Sequence, residues 1–276
     1  MRIDGQAIAQ GILHELKNNV DSLKRSSAHP TLAVILVGDD PASISYIKQK
    51  QKAADTIGAS VKLHHVPSIT GQELEDLIQQ YNADPLIHGL IVQRPLAGQI
   101  ENAESILNRV DSKKDVDGFV PDSPFDAPVA AGVGEILKHI SGISDDAEFF
   151  PWLKTQSIVI VGRGETAGAP IARYFVKRDC ATSIIHSQTP NPQAIMKSAD
   201  ILISCVGKSR VVTQDAVKPG AILIGVGIGR DDDARLEGDY KEEEIKNIAG
   251  FYTPTPGGVG PVNVACLMKN LVQAAS

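Results

Sequence analysis

The sequence contains few cysteines and no long apolar run, and both shortages exclude broad classes of protein. Its three cysteines, Cys180, Cys205 and Cys266, are too few and too scattered for a disulfide framework or a zinc site. The apolar runs, such as Leu32–Val37, have the length of strands and fall far short of a membrane-spanning helix. Because the first residues also lack the apolar core of a signal peptide, we expect a reduced, cytoplasmic protein without a membrane partner.

Positive charge is scarce as well. The chain has 27 basic and 33 acidic residues, a formal net charge of −6, which argues against a general nucleic-acid partner. At 276 residues, 42% hydrophobic and 22% charged, it has the composition of an ordinary soluble enzyme and enough length for two domains.

A glycine-rich turn stands at the centre of the chain, in Ser157–Pro170. Gly162, Gly164 and Ala167 fit the pattern G-x-G-x-x-[G/A], with an apolar strand before them and a helical segment after them. Glycines allow the tight turn and the close approach of backbone to a pyrophosphate, which the helix N-terminus then binds. The pattern predicts a dinucleotide site; an ordinary strand-to-helix turn is the alternative.

The periodicity predicts alternating helices and strands in both halves. In the first half these are helices Gln6–Lys24, Ala42–Ile57, Thr70–Gln80 (opened by a capping box) and Ile100–Asn108, and strands Leu32–Val37, Val61–Val66 and Leu86–Val92. In the second half they are helices Ala130–Ile140, Ile171–Arg178, Gln193–Ser198 and Asn263–Ala274, and strands Ile158–Val161, Thr182–His186, Ile201–Cys205 and Ile222–Val226. This alternation predicts a doubly wound α/β sheet. The acidic segment Asp231–Glu244 is expected to be a solvated face.

A proline-rich segment, Val120–Pro128, is the best candidate for a domain boundary. We therefore expect a first domain of residues 1–122 plus 262–276 and a Rossmann-like domain of residues 123–261.

Lys50 lies on the apolar face of the predicted helix Ala42–Ile57. At about 100° per residue, it falls on the same side as Tyr46 and Ala54. Lys48 falls on the opposite side. A lysine in an apolar stripe either extends to water, which is the commoner outcome, or is desolvated, which lowers its pKa towards the range useful for proton transfer.

Three further polar side chains are candidates. Gln93 directly follows an apolar strand, and ligands of open parallel sheets bind beyond the carboxyl ends of strands. Asp115 and Asp117 lie in the charged loop Asp111–Gly118, which is read as a turn. No nearby His or Glu completes a metal-binding spacing, so no metal is expected.

The choice between NAD and NADP depends on the residues after the second strand of the dinucleotide domain. An acidic residue there would bind the ribose 2′-hydroxyl of NAD, but His186–Thr189 contains none. Arg163 lies inside the glycine turn, and a guanidinium suits the 2′-phosphate of NADP. The sequence therefore favours NADP, with NAD as the alternative.

The segment Thr253–Pro261 alternates prolines and glycines. It is either a rigid linker back to the first domain or a loop that closes over a planar ligand.

Four stretches, taken together, carry a resemblance that covers nearly the whole chain. They are Val37–Ser43 followed by Tyr46 and Lys50, Gly89–Gln93 with Pro95 and Leu96, Lys114–Phe119, and Tyr252–Pro261. In this order they resemble the bifunctional methylenetetrahydrofolate dehydrogenase/cyclohydrolase family. The resemblance implies an N-terminal α/β folate-binding domain and a C-terminal Rossmann-like domain, with the last helix returning to the first domain. It also implies a homodimer.

The resemblance implies an NADP-linked oxidation of 5,10-methylenetetrahydrofolate to the methenyl compound, followed by hydrolysis to 10-formyltetrahydrofolate. Lys50 would handle the proton, Gln93 would hydrogen-bond to it, Tyr46 would contact the folate and Asp117 would anchor the pterin. The implied substrate site comprises Tyr46, Lys50, Val92, Gln93, Asp117, Pro256, Gly257, Gly258, Val259 and Gly260. The implied cofactor site comprises Gly162, Arg163, Gly164, Ser187 and Ile228.

The chain departs from the family on the cofactor side. Gly164 stands where the family usually has serine, and Gly225 stands where it commonly has aspartate. Two alternatives therefore remain open: a cyclohydrolase with weak or lost dehydrogenase activity, and a non-catalytic folate- or dinucleotide-binding protein.

Overall fold

The computed structural model describes residues 1–25, 28–96, 100–230 and 235–276. These residues form two compact units. The first unit comprises Gln10–Pro128 and Val264–Ser276, and the second comprises Met1–Ala9 and Val129–Asn263. Among the helices of the described residues, none is long and apolar enough to cross a membrane.

The first part of the chain forms helices and strands in alternation. In chain order they are α1 (Gly5–Arg25), β1 (Thr31–Val37), α2 (Pro41–Ile57), β2 (Ser60–Val66), α3 (Gly71–Ala83), β3 (Gly89–Val92) and α4 (Ala103–Leu107). The three strands form a parallel sheet in the order β2-β1-β3. Apart from its first residue, β1 is buried throughout, as expected for a central parallel strand covered on both faces.

Local capping explains where the two helices beside this sheet begin. The Asp40 side chain accepts a hydrogen bond from Ser43 N–H at 2.8 Å, and Pro41 is the first helical residue of α2. In α3 the predicted capping box is confirmed: Thr70 and Glu73 each bind the other's backbone N–H. Helix α2 is thereby fixed directly after the end of β1.

The second part of the chain contains a five-stranded parallel sheet. Its elements are α5 (Pro128–Ser141), α6 (Asp146–Lys154), β4 (Ile158–Val161), α7 (Gly168–Val176), β5 (Thr182–Ile185), α8 (Pro192–Lys197), β6 (Ile201–Ser204), β7 (Ile222–Gly225), β8 (Ile228–Arg230), β9 (Leu236–Gly238), α9 (Glu242–Ile245), β10 (Phe251–Tyr252) and α10 (Val259–Ala274). The sheet order is β10-β7-β6-β4-β5, and β8 pairs with β9 in an antiparallel ribbon. The predicted α/β class with parallel sheets is confirmed.

The last helix returns to the core of the first unit, as predicted. Val264, Leu267 and Leu271 of α10 are buried in one cluster with Leu16 and Val20 of α1. This packing explains why the final residues, Val264–Ser276, belong to the first unit.

The N-terminal residues group differently from the predicted domain bounds. Ile3 N–H donates to the carbonyl of Tyr252 at 2.8 Å, and Tyr252 N–H donates to the carbonyl of Met1 at 2.9 Å. Met1–Ala9 therefore cluster with the second unit.

Several predicted elements need correction. Leu86 is 73% exposed and β3 begins only at Gly89, because the preceding residues form a turn. Helix α10 begins at Val259 rather than Asn263. Asp239 and Tyr240 are buried, so the predicted solvated face Asp231–Glu244 is wrong there. Its residues 231–234 lie outside the described residues.

Candidate active site

Lys50 of α2 is buried in the first unit, with 2% of its surface exposed. It shares the buried face of α2 with Ile47 and Ala54, as the helical spacing predicts. Its Nζ donates a hydrogen bond to Oε1 of Gln93 at 3.0 Å. The amine is therefore desolvated and does not extend to water, which decides between the two outcomes that the sequence left open.

The surroundings of Lys50 favour the uncharged amine. Burial lowers the pKa of Lys50, and the negative charge of Asp117 opposes this shift with a smaller effect. The Nζ atom lies 5.2 Å from the centre of the Tyr46 ring. Burial, and secondarily Asp117, raises the pKa of the Tyr46 phenol, so this half-buried side chain keeps its proton. The site thus pairs an amine that loses its proton readily with a phenol that does not.

Gln93 is fixed by three hydrogen bonds at the end of β3. Its backbone N–H donates to the carbonyl of Ile35 at 2.8 Å, and its Nε2 donates to the carbonyl of Arg94 at 2.8 Å. Because the amide nitrogen is engaged there, the amide oxygen faces Lys50. Gln93 can therefore accept a hydrogen bond from the amine of Lys50 but has no titratable group of its own.

The loop that carries Asp117 lies beside β3. Val92, Asp115, Asp117 and Phe119 line the same small pocket of the first unit. Asn270 of α10 fixes this loop, since its Nδ2 donates to the carbonyls of Val116 at 2.9 Å and Asp126 at 3.0 Å. The structure thus brings together all five residues predicted for the substrate site in this unit.

Asp115, read from sequence as a turn residue, is a buried carboxyl. Burial raises its pKa to about 7; the charge of Asp117 adds to the shift, and the hydrogen bond from Val120 N–H at 2.8 Å opposes it. Asp115 therefore titrates near neutrality.

The glycine turn of the second unit has the shape that a dinucleotide requires. Gly162 has a φ of +101°, and a methyl group at Gly168 would lie 2.2 Å from the carbonyl oxygen of Gly162. A methyl group at Gly164 would meet nothing within 4 Å, so this position faces open space. The close helix-to-strand contact falls on Gly168, one residue beyond Ala167 of the predicted pattern. Backbone and space therefore fit a pyrophosphate at the start of α7.

The other residues predicted for the cofactor lie at the same edge of the parallel sheet. Arg163 follows β4, Ser187 follows β5 and Ile228 follows β7, and all three are exposed. Because the strands are parallel, their carboxyl ends meet at this edge. The turn after β5, His186–Thr189, presents no acidic side chain to it.

The predicted loop Pro256–Gly260 is partly helical. Gly257 has a φ of +97°, and a methyl group at Gly258 would lie 2.5 Å from the carbonyl oxygen of Pro254. Val259 and Gly260 already belong to α10. Gly5 N–H donates to the carbonyl of Gly257 at 3.0 Å, which holds the turn within the second unit.

Sequence reasoning missed Asp239, which is fully buried. Its carboxylate oxygens accept hydrogen bonds from Ser204 Oγ at 2.6 Å, Val206 N–H at 2.9 Å, Gly207 N–H at 2.6 Å and Lys208 N–H at 3.0 Å. Tyr240 beside it donates to the carbonyl of Thr253 at 2.5 Å. Within the sequence Gly238-Asp239-Tyr240, Asp239 cannot be told from the other acidic residues of this segment, which are typical of a solvated face.

Comparisons with known proteins agree with this geometry. Residues 3–117 match the family model "Tetrahydrofolate dehydrogenase/cyclohydrolase, catalytic domain", and residues 128–276 match the corresponding NAD(P)-binding domain. The chain is 39% identical to the Bifunctional protein FolD of Lactococcus lactis, with 99% of this chain and 96% of that protein covered.

Two solved structures are similar along their whole length. The bifunctional enzyme FolD of Campylobacter jejuni has a TM-score of 0.92 at 35% identity, covering 100% of this chain and 98% of that one. The Trypanosoma brucei enzyme complexed with NADP and an inhibitor has a TM-score of 0.89 at 30% identity, covering 100% and 97%. The chain therefore belongs to the tetrahydrofolate dehydrogenase/cyclohydrolase family.

Proposed function

We propose that this protein oxidises 5,10-methylenetetrahydrofolate to 5,10-methenyltetrahydrofolate with NADP and then hydrolyses the product to 10-formyltetrahydrofolate. Family membership gives the two activities. The single observation in this chain that carries the proposal is the desolvated amine of Lys50, held at 3.0 Å by Gln93.

Hydrolysis of the methenyl cation needs a water molecule deprotonated and a ring nitrogen protonated as the ring opens. Lys50 can do both, because burial lowers its pKa and makes its proton easier to exchange. Gln93 keeps the amine in place without competing for the proton. We assign binding of the folate ring to Tyr46 and Val92, and anchoring of the pterin to the carboxylate of Asp117.

In the oxidation, hydride loss from a methylene group between two nitrogens is driven by a nitrogen lone pair. No hydroxyl is deprotonated, so a dedicated general base is not required. NADP, when bound, supplies the hydride acceptor. Gly162 and Gly164 would present backbone to its pyrophosphate, and Ser187 and Ile228 would contact it along the same sheet edge. Arg163, exposed in the turn, would bind the 2′-phosphate.

The remaining assignments extend the same proposal. Pro256–Gly260 would line the folate site, residues 1–122 plus 262–276 would form the folate-binding catalytic domain, and residues 123–261 would bind NAD(P). A homodimer is supported by two exposed apolar residues, Val176 at the end of α7 at 62% and Ile184 of the edge strand β5 at 43%. The three cysteines form no disulfide within the described residues, which supports a reduced, cytoplasmic setting. Light scattering of the purified protein tests the dimer.

The test of function compares two assays on one preparation. With methylenetetrahydrofolate and NADP, absorbance of NADPH should rise, and with the methenyl compound alone its absorbance should fall. A parallel assay with NAD should be slower. Hydrolysis without any reduced cofactor would make this a one-activity cyclohydrolase. Ligand binding in calorimetry with neither reaction would make it a binding protein.

A further inference from the structure

The carboxylate of Asp239 organises the loop that follows β6. This loop, Cys205–Lys208, leaves the sheet between the exits of β4 and β7. Three of the four donors to Asp239 are consecutive backbone N–H groups of this loop, and the fourth is the Ser204 hydroxyl at the end of β6. One side chain therefore holds three successive backbone N–H groups of the loop together with the end of β6.

The loop Cys205–Lys208 packs closely against the turns that follow β4 and β7. A methyl group at Gly162 would lie 3.0 Å from the carbonyl oxygen of Cys205 and 3.4 Å from a side-chain methyl of Val206. A methyl group at Gly207, which has a φ of +74°, would lie 3.1 Å from the carbonyl oxygen of Ile228. The loop is therefore wedged between two of the residues assigned to the dinucleotide.

Gly227 shows how little freedom the arrangement leaves. A methyl group there would lie 2.3 Å from Gly207 N and 2.4 Å from Oδ2 of Asp239. The turns after β4, β6 and β7 thus interlock around one buried carboxylate, and a displacement of the loop must displace Gly162 or Ile228 with it.

We infer that Asp239 is a positioning residue for dinucleotide binding: by holding Cys205–Lys208 against Gly162 and Ile228, it fixes the edge of the sheet where NADP binds. The inference rests on the proposed function. It predicts that Asp239 matters for the dinucleotide and not for hydrolysis of the methenyl compound, which uses Lys50 of the first unit and no dinucleotide.

The test is Asp239→Asn in the full chain, with NADP affinity measured by calorimetry. The amide nitrogen of asparagine would replace one carboxylate oxygen and face at least one backbone N–H, that of Val206, or those of Gly207 and Lys208 in the other orientation, and so leave a buried donor unsatisfied. We expect the Kd for NADP to rise at least about tenfold, while kcat/KM for hydrolysis of the methenyl compound stays within about twofold.

Asp200→Asn is the matched control. Asp200 also accepts a backbone hydrogen bond, from Ser157 N–H at 2.9 Å, and it forms an ion pair with Lys218 at 2.6 Å. It directly precedes β6 and so lies at the opposite end of that strand. This variant should lower the melting temperature and leave NADP affinity within about twofold, because it does not touch the loop.

If Asp239→Asn fails to fold, so that hydrolysis and the melting transition are lost together, Ser204→Ala decides. It removes one of the four donors, and the Kd for NADP should rise about threefold. The inference would be overturned if the Kd for NADP were unchanged in folded Asp239→Asn, or in Ser204→Ala where Asp239→Asn does not fold. It would also be overturned if Asp200→Asn raised the Kd as much as the variant of the loop. Wild type that binds NADP but forms no NADPH would refute the dehydrogenase assignment and leave the comparison of Kd values standing. Wild type that binds no dinucleotide would refute both.

Discussion

Each unit contains a buried side chain that can carry a charge, Lys50 in the first and Asp239 in the second. The two differ in how many hydrogen bonds they make. Lys50 makes one hydrogen bond within the described residues, to Gln93, although an ammonium group offers three donors. Asp239 accepts four hydrogen bonds, from Ser204 and from three consecutive backbone N–H groups. Both side chains are almost completely removed from solvent, with 2% and 0% exposed.

This difference in the number of hydrogen-bond partners indicates the role of each buried side chain. A buried charge with too few partners is unstable as an ion, so it shifts its pKa and becomes ready to exchange a proton. A buried carboxylate whose oxygens are all engaged instead fixes the groups that donate to it. Lys50 is therefore suited to chemistry, and Asp239 to positioning.

Lys50→Met should produce the largest effect. Removing the amine should lower kcat for hydrolysis of the methenyl compound by about a thousandfold, the usual contribution of a positioned acid–base group. Loss of the methenyl absorbance measures it. Lys48→Met, on the exposed side of the same helix, is the control and should keep wild-type activity. Full hydrolysis by Lys50→Met would remove this residue from the mechanism.

The same variant should not lose stability at neutral pH. Because the folded-state pKa of Lys50 lies below its ordinary value of 10.5, the charged lysine opposes folding at any pH below that lowered pKa. Methionine removes this cost, and its advantage should shrink as the pH rises towards 10.5. Thermal melts at several pH values check the trend.

Lys50 and Asp239 differ in how well the sequence predicts their burial. The helical period of α2 places Lys50 beside Ile47 and Ala54, since local spacing decides which face is apolar. Asp239 could not be found in this way. It lies within an acidic segment, and its partners come from the end of β6 and the loop after it, more than thirty residues earlier. The sequence does not predict strand β10 for a similar reason: it is two residues long, and its pairing partners, β7 and Arg2, are distant in sequence.

Asp115 offers the next test, because it is a buried carboxyl with fewer partners than Asp239. Its pKa is raised from 3.8 to about 7, so the native state holds a proton that the unfolded chain has already lost in this interval. Ionisation of Asp115 in the unfolded chain should therefore lower the free energy of unfolding by about 4 kcal/mol between about pH 4 and about pH 7. Asn at this position cannot titrate and still accepts from Val120 N–H.

The measurement is urea unfolding of wild type and Asp115→Asn across this pH range. Wild type should lose stability relative to the variant as the pH rises, with the difference settling above about pH 8 once Asp115 is ionised. Parallel curves for the two proteins would show that Asp115 keeps an ordinary pKa.

Gln93→Glu should have a smaller effect, because it changes the charge beside Lys50 without removing the amine. A carboxylate about 3 Å from Nζ favours the ammonium form and raises the pKa of Lys50. The uncharged fraction at neutral pH then falls, so hydrolysis should slow about tenfold at about pH 7 and recover at higher pH. The pH–rate profile tests this directly, with Gln93→Leu as the control that lowers activity without shifting the profile upwards. A profile that stays in place with Glu would mean that the charge of Lys50 does not control the reaction.

Gly164→Ser should give the smallest effect, and in the favourable direction. Gly164 has no positive φ and faces open space, so a serine fits without strain, whereas Gly162 beside it could not be replaced. The family usually has a serine at this position, and its hydroxyl would add one hydrogen bond to the phosphate. We expect the Kd for NADP to fall about threefold to tenfold, within the range of one net hydrogen bond. Gly164→Ala, which adds the side-chain carbon without the hydroxyl, should leave the Kd unchanged. An equal gain with alanine would mean that the effect comes from stiffening the turn rather than from a contact with NADP.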